Sequence, residues 1–197
     1  QLKVGLPFPA THLVESVAAA VGTAILLGID PHDIKERLMR FQPSTGRLNF
    51  KQGIKGTTVI DDSYNANPKS MTAALKVLKD WAGTRRKIAV LGDMFELGSY
   101  EIEGHRLVGE AAARMGLDIL LTIGNRTIHI MEGARSAGFS GIMMHFENKS
   151  EAIEFLTSEV VADDVILVKA SRGMHMEKIV KALLNKDEPD AFKEDIT

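Results

Sequence analysis

The sequence predicts an α/β protein: a doubly wound, mostly parallel, Rossmann-like sheet with an antiparallel edge strand, preceded by a helical segment. Three observations predict it. Five short apolar runs, Thr57 to Ile60, Ile88 to Leu91, Ile119 to Ile123, Ile142 to Phe146 and Val165 to Val168, alternate with segments of helix length, the pattern of strands covered on both faces by crossover helices. A further run, Arg47 to Lys51, reaches the first of these through a glycine-containing turn at 53–56. That link is too short for a crossover, so the pair is antiparallel. Before Pro43-Ser44-Thr45-Gly46 the pattern is all helix formers and caps, so the domain boundary falls there.

Taken in order, His12 to Leu27 is rich in Ala and other good helix formers, and Gly28 stands where such a helix stops. Asp30-Pro31-His32-Asp33 supplies a cap followed by Pro at the first helical position, opening a second helix through Phe41. Residues 1–45 therefore read as a helical hairpin, and residues 46–186 as the α/β domain. Helix starts between the strands are signalled by Asn67-Pro68, by Ser99 ahead of Glu101, by Asn125, and by Asn148 with Glu151 at capping-box spacing. A last helix is expected from about Met174. The tail, 187–197, is acidic and poor in apolar residues, which predicts fraying.

Composition narrows the function. The 197 residues carry 24 Lys and Arg against 26 Asp and Glu, a formal net charge of -2. So balanced a chain does not fit a protein whose affinity comes from displacing counterions from nucleic acid. With no Cys there is no disulfide, thiolate nucleophile or Cys-ligated metal. Gln1 to Ala10 lacks the basic and apolar stretches of a secretory signal, and Val17 to Leu27, interrupted by Gly22 and Thr23, is too short to cross a bilayer. A cytoplasmic protein without membrane insertion is expected. Because it starts at Gln1, the chain also reads as a piece of something longer.

In an open parallel sheet, ligands bind beyond the carboxyl ends of the strands. After the first parallel strand stands Asp61-Asp62-Ser63-Tyr64-Asn65-Ala66-Asn67-Pro68. Asn67-Pro68 alone is a turn and a cap, but two acids, a tyrosine and two amides exceed what a turn requires. A carboxylate there suits a ribose hydroxyl or a metal. After the last strand, Lys169-Ala170-Ser171-Arg172-Gly173 places an ammonium, a hydroxyl and a guanidinium together, a combination suited to a carboxylate or phosphate, although such groups at a helix start often point into solvent. Gly92-Asp93-Met94-Phe95-Glu96-Leu97-Gly98 orders around a ligand or simply packs. There is no G-x-x-x-x-G-K-[ST] loop and no G-x-G-x-x-G after a strand, so this chain by itself lacks the usual phosphate cradle. The six histidines show no ligand spacing and no metal ligand is assigned. His105 reads as a surface or satisfied core histidine, and the nine methionines as core filler.

The strings V-I-D-D-S-Y-N-A-N-P-K-S-M at 59–71 and I-A-V-L-G-D-M-F-E-L-G at 88–98, with the stretch from Val165 through K-A-S-R-G-M-H-M-E-K at 169–178, resemble the Mur ligase family. Within that family they are similar to the enzymes that join D-alanyl-D-alanine to UDP-MurNAc-tripeptide. The upstream A-T-H-L-V-E-S-V-A-A-A and P-S-T-G-R at 43–47 resemble the end of the family's central ATPase domain, so the resemblance covers nearly the whole chain but only the C-terminal portion of such an enzyme. It implies ATP-dependent phosphorylation of the tripeptide carboxylate, attack by the dipeptide amine on the acyl phosphate, and assistance by Mg2+ bound mainly in the central domain. By motif, Arg47 would reach the ATP phosphates when the domains close about a hinge near Gly46. Asp62 would accept from the ribose, with Tyr64 also beside the nucleotide. Ser171 and Arg172 would hold the dipeptide carboxylate, with Lys169, Asn65 and Asn67 as neighbours of the substrate. His12 and Ser16 fall on the family's H-N-x-x-N, with Ser16 in place of the Asn beside adenine, and Ala170 replaces the glycine of K-G-S-R, where its methyl group would crowd a close approach.

Two other readings stay open: a related Mur or folylpolyglutamate-type amide ligase, and a ligand-binding α/β domain with no catalysis of its own. The N-A-N-P-K-S-M and L-G-D-M-F-E-L-G strings weigh against the folylpolyglutamate type.

Overall fold

The computed structural model describes residues 14–41 and 43–185. The chain divides into two compact units, the first ending at Pro43 and the second beginning at Ser44. The expected tail, 187–197, and His12 lie outside the described residues.

In the first unit, α1 spans Val14–Leu26 and α2 spans Pro31–Met39. α1 ends where the expected stop residue turns left-handed: Gly28 has φ +78, and the amides of Gly28 and Ile29 return to the carbonyls of Ile25 and Ala24. Asp30 caps α2 by accepting the His32 N–H at 2.7 Å, with Pro31 as the first helical residue. α2 closes at Met39, two residues before the expected end.

The second unit is a six-stranded sheet with β1 at Asn49–Gln52, β2 at Thr58–Asp62, β3 at Lys87–Gly92, β4 at Ile119–Ile123, β5 at Ile142–Phe146 and β6 at Val165–Lys169. Its order is β1-β2-β6-β3-β4-β5, with β1 antiparallel to β2 and every other pair parallel. The five parallel strands are those the apolar runs predicted. β1 starts two residues later than expected, because Arg47 and Leu48 turn into it: Leu48 has φ +52, and the Arg47 N–H is donated to Ser44 O and Asn49 Oδ1.

Helices α3 (Pro68–Ala82), α4 (Glu101–Arg114), α5 (Ile128–Ser136), α6 (Lys149–Glu159) and α7 (Glu177–Leu183) cover the sheet. Because successive strand residues face opposite sides, the core falls into two layers. Ile60, Ala89, Leu91, Leu120 and Leu167 pack with α3, α4 and α5, whereas Val59, Ile88, Val90, Leu121, Ile166 and Val168 pack with α6 and α7. Asn67 forms a capping box with Ser70 at α3, and the Asn148 side chain accepts the Glu151 N–H at α6, both as the sequence indicates.

Three start signals are corrected. Ser99 caps nothing, since a short 3-10 turn at Gly98–Tyr100 runs straight into α4. Asn125 does not cap α5, and the amides of Arg126 and Thr127 in the turn that enters the helix are held from another loop. Arg172–Met174 is a separate 3-10 turn, and α7 begins only at Glu177. The methyl of Ala170 does not crowd the ligand edge. It is buried in the α6/α7 layer beside Gly92, where a Cβ on residue 92 would come within 2.6 Å of it.

α4 and α5 meet backbone to backbone. A Cβ on Gly109 would collide with the Ile130 carbonyl, and one on Gly133 with the Arg106 carbonyl. Gly109→Ala must therefore push the helices apart, and it is expected to cost about 1–3 kcal/mol in chemical denaturation, the usual range for overpacking a tight core.

Candidate functional site

Five parallel strands end at the same edge, so the loops after β2, β3, β4 and β6 converge there. Asp61 and Asp62 close β2 and point to opposite faces. Asp61 is consumed locally: it pairs with Lys51 Nζ at 3.0 Å and accepts the Ser63 N–H and hydroxyl at 3.2 and 2.6 Å. Asp62 stands in register with Lys169 of β6, and Lys169 Nζ lies 2.6 Å from its Oδ2 while the Leu48 N–H is donated to its Oδ1 at 3.1 Å. Lys169 gives a second bond to the Asn65 carbonyl at 2.8 Å, and its side chain is only 3% exposed. The Asp62 side chain keeps 12% of its surface in solvent.

Asn65 folds its amide oxygen onto the Ala66 N–H, and Asn67 spends its own on the cap of α3. Tyr64 stays exposed. Its N–H is donated to Gly46 O at 3.0 Å, and Gly46, at φ +72, leaves no room for a Cβ against Tyr64. The Arg47 guanidinium then lies 4.3 Å from the Tyr64 ring centre, and that of Arg172 lies 5.4 Å from the same ring. Two exposed cations from opposite ends of the unit thus share one aromatic ring. Ser171, buried, accepts the Phe95 N–H on Oγ at 2.8 Å, and its hydroxyl proton has only a long contact, 3.5 Å, to the Ala66 carbonyl.

The structure therefore brings Arg47, Asp62, Tyr64, Asn65, Asn67, Lys169, Ser171 and Arg172 to one edge. Ser16 is exposed on α1 in the first unit, and His12 lies outside the described residues. Among the described residues no group of three or more Asp, Glu or His is arranged to hold a metal.

The loop after β3 stood out in the sequence as one that orders around a ligand or packs, but the partners of Asp93 were not foreseen. Asp93 Oδ1 accepts the N–H groups of Arg126 and Thr127, at 2.9 and 3.0 Å, and so holds the turn that enters α5. Arg126 lies over the Phe95 ring at 4.9 Å and binds Glu101 at 2.6 Å. The Met94 N–H is donated to Nε2 of His105, whose Nδ1 sits 2.7 Å from the Glu101 carbonyl. Because an amide can only donate and a carbonyl only accept, the proton is on Nδ1 and the ring is neutral. The flanking glycines, two acids and three large apolar residues of 92–98 were the signal in the sequence, and they name no partner.

The sheet is that of a doubly wound α/β domain, and its strand-end loops gather two guanidinium groups, a buried ion pair and a serine at one edge. The chain belongs to the Mur ligase family, whose model described as "Mur ligase, glutamate ligase domain" matches residues 46–172. It is 38% identical over 180 residues to UDP-N-acetylmuramoyl-tripeptide--D-alanyl-D-alanine ligase of Escherichia coli (strain K12), covering 90% of this chain and 38% of that protein. The corresponding ligase of Bacillus subtilis (strain 168) is 33% identical over 179 residues, 91% of this chain and 39% of its own length. Among solved structures, MurF from Acinetobacter baumannii superimposes with a TM-score of 0.78 at 36% identity over 90% of this chain and 38% of its own. MurF from Thermotoga maritima in complex with ADP gives 0.69 at 26% identity over 84% of this chain and 36% of its own. The chain spans about two fifths of these relatives.

Burial holds the His105 pKa below its ordinary 6.5, the opposing pull of the Glu101 carbonyl and of Asp93 and Glu101 being weaker. A histidine whose folded pKa is lowered stabilises the fold fully above the unfolded value and loses that contribution as pH falls through the folded one. The melting-temperature gap between wild type and His105→Gln should be widest near pH 7.5 and shrink below about pH 6.5. A gap that does not change with pH would mean that His105 never titrates in this range.

Proposed function

We propose that this chain is the C-terminal part of an ATP-dependent amide ligase that adds D-alanyl-D-alanine to UDP-MurNAc-tripeptide in peptidoglycan precursor synthesis. The observation that carries the reading is the pairing of Arg47 and Arg172 on Tyr64 beside Ser171, since the reaction handles two anions, a polyphosphate and a peptide carboxylate, at adjacent points. The printed names of the relatives support it, as does the ADP bound by the Thermotoga protein.

In this mechanism a carboxylate oxygen of the tripeptide attacks the γ-phosphorus of ATP and ADP leaves. The dipeptide amine then attacks the acyl carbon, loses a proton, and phosphate departs. Arg47 reaches the ATP phosphates as the domains close about Gly46, offsetting charge that spreads over the transferring group. The open part of the Asp62 carboxylate accepts from the ribose, with Tyr64 beside the nucleotide, and by motif Ser16 and His12 would serve the nucleotide as well. Ser171 and Arg172 bind the dipeptide carboxylate through a hydroxyl and a guanidinium fork. Lys169, its ammonium committed to Asp62 and Asn65, acts on the substrate through them, and Asn65 and Asn67, on the same loop, are neighbours of the substrate. Residues up to 45 are the helical end of the ATPase domain. The upstream domains of the same polypeptide supply the phosphate loop, the UDP-sugar site and the Mg2+ ligands, Mg2+ serving to offset phosphate charge. Among the described residues no helix is long and apolar enough to cross a membrane, and we place the enzyme in the cytoplasm with its nucleotide substrates.

Phosphate release from ATP by the enzyme containing this chain, with UDP-MurNAc-tripeptide, is expected to depend on D-alanyl-D-alanine and not on glutamate. Stimulation by neither amine would leave a binding domain without this chemistry. Residues 1–197 alone should release no phosphate from ATP. Arg172→Ala should raise the KM for the dipeptide about 10- to 100-fold, the usual worth of a hydrogen bond to a charged group. An unchanged KM would move the carboxylate site elsewhere.

A further inference from the structure

We infer that Asp93 is the positioning residue that presents Ser171 and Arg172 to the dipeptide carboxylate, by tying the loops after β3, β4 and β6 into one unit. The inference rests on the reading of Ser171 and Arg172 given above.

β3 lies between β6 and β4 in the sheet, so the residue after β3 is the one place from which a single side chain and its own backbone reach both neighbouring loops. Asp93 uses both. Its carbonyl accepts the Ser171 N–H at 3.0 Å, and its Oδ1 accepts the amides of Arg126 and Thr127 in the turn that enters α5. Two residues on, the Phe95 N–H is donated to Ser171 Oγ, so the stretch 93–95 grips Ser171 by main chain and side chain together. Met94 between them is pinned by its amide to His105 and buried completely.

Capping α5 does not by itself call for this. A Ser, Asn or Asp in the loop preceding the helix would satisfy those amides locally, yet Thr127 turns its hydroxyl back to the Gly124 carbonyl instead. Residue 124 has φ +109, and a Cβ there would come within 2.7 Å of the Asp93 carboxylate, so the β4 loop is shaped to admit this acid. The carboxylate is almost fully buried, and Arg126 offsets its charge with NH1 3.7 Å from Oδ2. That same guanidinium covers the Phe95 ring, whose edge packs on Gly173 beside Arg172. Asp93 thus reaches Ser171 through its own carbonyl, and its partner Arg126 reaches the surroundings of Arg172 through Phe95.

Steady-state kinetics of the enzyme containing this chain test the assignment. Asp93→Ala should raise the KM for D-alanyl-D-alanine about tenfold, leave the KM for ATP unchanged, and change kcat at saturating dipeptide less than about threefold. Asp93→Asn, which keeps an acceptor oxygen for the two amides, should restore the dipeptide KM to within about threefold of wild type. Asp93→Asn carries the test if Asp93→Ala proves insoluble. Equal rises in both KM values, loss of kcat with unchanged KM, or no rescue by Asp93→Asn would overturn the assignment. If Arg172→Ala also leaves the dipeptide KM unchanged, it is the carboxylate site that has failed. If Arg172→Ala raises it and Asp93→Ala does not, only the role of Asp93 has failed.

Discussion

An ammonium group buried at the end of the central strand has to be neutralised where it stands. Removing an ion from water costs several kcal/mol even after relaxation, and a buried pair broken on one side typically loses about 3–5 kcal/mol. Lys169 meets this constraint with Asp62 directly across the ladder and with the carbonyl of Asn65. Each partner fixes something further. Asp62 holds the Leu48 amide and so the segment entering the sheet, and Asn65 holds the turn that displays Tyr64. The pair carries no stability argument of its own, since an apolar replacement often does as well. Its effect is on geometry: three strand-end segments take their positions from one charge.

The apolar and polar parts of the unit divide the labour. Below the strand ends, two layers of aliphatic side chains sandwich the sheet, and non-directional burial of that kind fixes which elements pack without fixing where a loop atom sits. At the edge, directional contacts take over: Asp93, His105 and Ser171 each accept a main-chain amide from a different segment. A neutral imidazole is well suited to this, because burial that would penalise a charged group only confirms the tautomer the neighbours require.

What could be seen in the sequence followed the range of the interactions. β2, β3, β4 and β6 were legible because both faces of each are largely buried, which leaves apolar runs. β5 kept an Ile-Met-Met run although it is a half-buried edge strand, and the caps at Asn67 and Asn148 were legible because cap and partner lie within three residues. β1 was displaced by two residues, since the positive φ at Leu48 leaves no mark in composition. Asn125 misled for the reverse reason: a plausible local cap was outdone by an acid on a neighbouring strand. At the site, residue types pointed to Asp62, Ser171 and Arg172. That Lys169 is buried while Arg47 and Arg172 meet over one ring depends on strand order, which the order of the motifs along the chain does not reveal.

The contact between Gly92 and Ala170 has a consequence for how this chain can change. The two residues lie on adjacent strand ends, and the methyl of one occupies the space that a side chain on the other would need. Alanine at 170 is thus tolerated only on a glycine at 92. While it stays, a side chain at 92 must displace a neighbouring strand end, so substitution at either position is conditional on glycine at the other.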